Sequence, residues 1–210
     1  MLCYSGTIKR GRTGLKIVKP FNFAILTAAA IAVAATPAAA QLGQEKGLEF
    51  VQAVKDRDGN KAEQLLGDNP KLIVNARDVD GNTALILAVG RSDETYTGYL
   101  LNKGADPNLG GKGGDTPLII ASRLGFTQGV EWLLAMGAKV DGTNKMGETP
   151  LITAVVQRQR PVVRMLLEHG ADPDKTDTAA GYSARQYAQR DSRSRDILSL
   201  IEARKPSPKK

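Results

Sequence analysis

Cysteine occurs once in the 210 residues, at Cys3, and histidine once, at His169. Beyond residue 3 no disulfide framework and none of the usual zinc sites can be assembled. No serine or cysteine nucleophile motif stands anywhere for His169 to serve, so it reads as a surface or helix-capping residue. Acids are missing from residues 1–40, where Lys9, Arg10, Arg12, Lys16 and Lys19 are the five bases. The formal charge of +7 therefore falls to +2 without that stretch, and the high isoelectric point is no sign of nucleic-acid binding. The one long apolar run is Phe21 to Ala35, and Ala38-Ala39-Ala40 follows it. Basic segment, apolar segment and small residues make the plan of a secretory signal over 1–40, with cleavage expected between Ala40 and Gln41. If uncleaved, Phe21 to Ala40 would be a membrane anchor.

What fills the remainder is a period. Thr83, Thr116 and Thr149 lie 33 residues apart, and so do Leu85, Leu118 and Leu151, Ala88, Ala121 and Ala154, and Gly104, Gly137 and Gly170. Four columns holding one period over three copies define a solenoid. Thr116 suits a helix N-cap and Pro117 the first helical position, where a missing N–H costs nothing. Leu118, Ile119 and Ala121 continue that helix until Gly125. Val130, Leu133 and Leu134 form the apolar stripe of a second helix, and Gly137 takes the left-handed conformation that ends it.

The runs GNTALILAV, GDTPLIIAS and GETPLITAV, followed by LLNKGADPN, LLAMGAKVD and LLEHGADPD, resemble ankyrin repeats. The resemblance covers about 48–203 and implies an all-α ankyrin-repeat solenoid of stacked helix-turn-helix units with protruding loops. The histidine that usually follows Thr-Pro-Leu in that family is replaced by Ile86, Ile119 and Ile152, so apolar packing is expected to replace part of a polar network.

The expected organisation is a signal peptide over 1–40, a degenerate capping repeat over 41–77, full repeats over 78–108, 109–141 and 142–174, a C-terminal capping repeat over 175–203 and a disordered basic tail over 204–210. In the first cap Leu48, Val51 and Val54 are expected to share a buried face, and Asn60 with Glu63 to form a capping box. Gly98, Tyr96 and Tyr99 make the second helix of the first full repeat the softest. Pro161 opens the corresponding helix of the third. Ser183 with Gln186 reads as a capping box in the last unit, where Ile197, Leu198, Leu200 and Ile201 form one apolar face.

Gly110-Gly111-Lys112-Gly113-Gly114 fails the spacing of a phosphate-binding loop and reads as a turn at a loop tip. No residue is assigned to catalysis or to a metal, and no cofactor is expected. In the family, partners meet the loop tips and the exposed side of the first helices, a concave strip. Carried onto this chain, that strip holds Val79, Asp80, Asn82, Arg91, Lys112, Asp115, Arg123 and Leu124. It continues through Lys145, Met146, Glu148, Val156, Gln157, Tyr182 and Arg190. The expected protein is a monomeric, non-enzymatic binding module, periplasmic or secreted, whose partner is a protein with acidic surface residues and not a nucleic acid. An envelope-surface adhesin using the tail from Arg204 to Lys210 is the alternative. A small hydrolase on the same scaffold, built on Asp115 and Glu148, is a third.

Overall fold

The computed structural model describes residues 38–67 and 70–203, which lie within one compact unit. The 1–37 portion of the expected leader and the basic tail lie outside the described residues. The expected cleavage point between Ala40 and Gln41 falls in the first turn of the first helix. Helices follow in pairs: α1 (Ala38–Asp56) with α2 (Gly59–Leu66), α3 (Ala84–Gly90) with α4 (Glu94–Asn102), and α5 (Pro117–Leu124) with α6 (Thr127–Ala135). The series ends with α7 (Pro150–Val156) and α8 (Arg160–Glu168), then α9 (Ala184–Arg190) and α10 (Arg195–Ala203). First helices pack on first helices in the order α1, α3, α5, α7, α9, and α4, α6, α8, α10 form the row behind them. No strand occurs among the described residues, only the isolated bridges Arg77 to Thr83 and Thr176 to Ser183.

Each first helix starts where its hydroxyl predicts. The side chains of Thr83, Thr116, Thr149 and Ser183 accept hydrogen bonds from Ile86, Ile119, Ile152 and Gln186 amides, and the Gln186 side-chain oxygen accepts from the Ser183 amide to complete the capping box. The three isoleucines that stand in for histidine are buried, so this layer between repeats is packed apolar surface. Ala88, Ala121 and Ala154 are fully buried, small where neighbouring helices approach.

Repeats are also clamped to one another through polar side chains. The Asn75 side-chain oxygen accepts from the Asp106 amide at 2.9 Å, Asn108 from Lys139 at 2.8 Å and Asp141 from Asp172 at 3.0 Å. Every acceptor lies 31 residues before its donor, so the same bond recurs at three successive junctions.

Three expectations are corrected. Leu48 is 44% exposed; the buried face of α1 is Gly47, Phe50, Val51, Ala53 and Val54, and Leu48 lies off that stripe. The cap of α2 is Asp58, whose side chain accepts from Lys61, so the Asn60–Glu63 capping box does not form. Leu133 is fully buried while Leu134 is only partly so, since α6 turns Leu134 toward its edge. In α4, Gly98 faces the Trp132 ring, and the Thr97 and Tyr99 hydroxyls are buried without a hydrogen-bond partner.

The turn between paired helices needs a left-handed residue at one recurring place. Gly125 fills it at φ 73°, but Ser92 (φ 52°) and Arg158 (φ 55°) hold the equivalent positions 33 residues either side. A side chain there costs about 1–2 kcal/mol, offset by the extra freedom glycine brings to the unfolded chain. Among the described residues Ser92 makes no side-chain bond that glycine would forfeit, so Ser92→Gly is expected to raise stability by about 0.5–1 kcal/mol, read as a higher urea midpoint.

Candidate functional site

Four fingers project from the array, the first and last between bridged residues: Asp78 to Asn82, Gly111 to Asp115, Asn144 to Glu148 and Asp177 to Tyr182. Each is closed by an amide of its first residue donating to the carbonyl of its last, at 2.9, 3.1, 3.2 and 3.1 Å. In three of them the first side chain folds back onto the tip: Asp78 accepts from the Asp80 and Asn82 amides, Asn144 from Met146 and Glu148, and Asp177 from Ala180 and Gly181. Gly111 has no such side chain, and its Cα sits against the Asn82 amide group instead. The glycine-rich run Gly110 to Gly114 is therefore a turn, as its spacing predicts.

Fingers are linked in series. The Lys145 amide donates to Gly113 at 3.1 Å and the Thr178 amide to Met146 at 2.9 Å. Between the first two fingers the link is a side chain: one Arg77 nitrogen donates to both the Gly81 and Gly110 carbonyls.

Asn144, itself buried, is the hub of the central pair. Its amide nitrogen donates to Asp115 and to Glu148, both at 2.7 Å, and Asp115 pairs with Arg123 at 2.8 Å. Asp115 and Glu148 are thus brought together as the hydrolase alternative requires. They meet as acceptors of one neutral amide, an arrangement that ties the two loops together. Among the described residues no group of three or more metal-ligating side chains occurs.

The strip residues divide by what already holds them. Arg91 donates to the Val54 and Lys55 carbonyls at 2.9 and 2.8 Å, capping the C-terminal end of α1 where a cation is favoured by the helix dipole. Arg123 is engaged by Asp115, and the Arg190 guanidinium lies over the Tyr182 ring, 4.6 Å from its centroid. Lys112 and Lys145 are exposed at equivalent fingertips and make no ion pair among the described residues. Val79 is 93% exposed, Met146 51%, Val156 48% and Leu124 47%. Asp80 and Gln157 are exposed, and Asn82, Asp115, Glu148 and Tyr182 are half-buried. His169 is exposed beside the end of α8, its Nδ1 2.9 Å from the Met165 carbonyl, which is the capping role expected of it.

Sequence reasoning missed Asn144, Asp177 and Tyr187. The Tyr187 hydroxyl donates to Asp177 at 2.6 Å, and this bond, with burial behind it, pushes the tyrosine up to about 12. Burial works to raise Asp177, but the Tyr187 hydroxyl and the Ala180, Gly181 and Tyr182 amides outweigh it and hold the carboxyl below its ordinary value. The available signal was a column at Asp78, Asn144 and Asp177, obscured because Gly111 interrupts it.

No curated protein matches the chain. The model of ankyrin repeats in three copies matches residues 50–144 and again 99–177, so that more than half of the chain is covered. Members of that group are generally non-enzymatic scaffolds. With the four 33-residue columns, the capped helix pairs and the linked fingers, this match makes the chain a member of the ankyrin-repeat family and a protein–protein interaction module.

Proposed function

We propose that the protein is exported, that residues 1–40 are removed, and that the mature monomer acts in the periplasm or outside the cell. There it presents its fingertips and the exposed edge of α5 and α7 as a concave strip to a protein carrying acidic residues. The observation that supports this reading is the exposure of Lys112 and Lys145, which make no ion pair among the described residues, together with that of Val79, Met146, Leu124 and Val156. Large apolar side chains left in water on the face that carries the fingertips suit a contact surface, and exposed cations on the same face steer an acidic partner. Repeat stacking and linked fingers hold the strip in shape beforehand, so association orders few groups.

The test places a photo-crosslinking residue at Met146 in intact cells and compares Lys112→Glu/Lys145→Glu with the parent. Loss of charge complementarity is expected to reduce the crosslinked species about tenfold at low salt. Undiminished yield from the double reversal, or equal yield from a probe at Arg164 on α8, would remove the reading. Mass measurement of the purified mature form tests the processing step, which predicts Gln41 as the first residue.

A further inference from the structure

We propose that Arg190, stacked on Tyr182, is the anchoring contact of this surface and binds one carboxylate of the partner in bidentate fashion. The proposal rests on the reading that the fingers and first helices form the contact face.

The three strip arginines differ in what they have left to offer. The carbonyls of α1 occupy Arg91 and the Asp115 carboxylate occupies Arg123. Arg190 has neither a hydrogen bond nor an ion pair among the described residues, and its only contact of that kind is the ring face of Tyr182. Stacking uses the flat face of a guanidinium and leaves its N–H donors free, which is the arrangement that receives a carboxylate oxygen pair.

The stack is supported from beneath. Tyr182 meets the Tyr187 ring edge-on, with centroids 5.6 Å apart and planes 87° apart. Tyr187 is fixed in turn by its bond to Asp177, whose carboxylate is held by finger amides. A chain of contacts from a buried acid to an exposed cation therefore sets the guanidinium in place before any partner arrives. Nearby Asp191 does not compete for it, being occupied by the Arg193 amide, the Ser194 hydroxyl and Arg158. Tyrosine and arginine are the side chains most enriched among interface anchors, and rigid placement is what makes them effective.

One repeat back, Val156 stands exposed near the equivalent place at the end of α7. Adjacent packed helices lie about 8–10 Å apart, a distance that about three residues of extended chain span. The fitting occupant is an extended protein segment with an acidic residue at Arg190 and an apolar one about three positions away over Val156.

The experiment uses a fluorescein-labelled dodecapeptide alternating glutamate with leucine, and its glutamine counterpart, titrated against the mature protein by anisotropy. Binding of the glutamate peptide alone is expected, weakened at least tenfold by Arg190→Gln and by Tyr182→Leu. Arg190→Lys should recover only part of it, and Tyr182→Phe, which keeps the ring, should weaken it less than Tyr182→Leu. Circular dichroism melts of Arg190→Gln establish that folding is intact. Equal binding by the parent and Arg190→Gln would overturn the anchor, as would dependence on Lys112 and Lys145 alone, while leaving the broader surface in place. Failure of the parent to bind either peptide, or Arg190-dependent binding to anionic phosphatidylglycerol vesicles in place of peptide, would overturn it too. Crosslinking through Met146 reports separately on the surface as a whole.

Discussion

Leu133→Ala should lower the unfolding free energy by about 2–5 kcal/mol, the largest single-residue effect expected in the molecule. Leu133 is fully buried in α6, within a core that also takes in Leu100 on α4 and Leu166 on α8. Removing its branched end deletes apolar contacts and leaves a cavity that stacked, capped helices cannot readily close. Leu134, the next residue, is only partly buried, so its truncation should cost less than half as much. Stability in a repeat array is the sum of unit and neighbour terms, so the loss at Leu133 should spread. Urea unfolding gives the magnitude, and hydrogen exchange should show faster opening in α4, α6 and α8 together. Equal losses at the two leucines would contradict the burial described here.

The second large effect is expected at Asp177. Asp177→Ala leaves finger amides and the Tyr187 hydroxyl without their acceptor in a buried setting, at a cost of about 3 kcal/mol. Its pH dependence has a definite sign. The folded-state pKa of Asp177 lies below the unfolded value, so its contribution is present above about pH 4 and is lost as pH falls through the folded value. Tyr187 runs the other way: raised to about 12, it contributes fully below about pH 10 and loses that contribution as pH climbs toward 12. Thermal melts of the parent and of Asp177→Asn across that range should therefore converge at both extremes and differ most in between. A constant difference down to pH 2 would refute the assignment.

Much of the fold was legible because its determinants are local and repeat. The hydroxyl before each first helix, the proline behind Thr116 and Thr149, and the glycines after each second helix act within a turn of their own position, and three copies expose them. The first cap was misread where copies were lacking: Asn60 and Glu63 match the spacing of a capping box, yet Asp58 lies one residue ahead of the helix and takes the role. The proposed contact strip can be written from the sequence as a set of positions but not as chemistry. Whether an arginine faces a partner or its own backbone depends on residues far away in sequence; Arg91 reaches carbonyls 36 and 37 positions back. Arg190 differs in being held by Tyr182, in the finger that leads into its own helix. The Asn144 hub was hidden for the same reason, since its two carboxylate acceptors come from successive repeats.

The clamp from Asn75, Asn108 and Asp141 to the amides 31 residues ahead also constrains how such a gene can change length. Copying or excising one whole 33-residue cassette between equivalent points would return every acceptor to a donor at the same offset. A change that is not a whole number of cassettes has to be absorbed in a loop, as the extra residue of the Asp177 to Tyr182 finger is, or it shifts the helices beyond it out of phase. The array can thus grow or shrink in quanta, adding reach along its contact face without redesign of any existing junction.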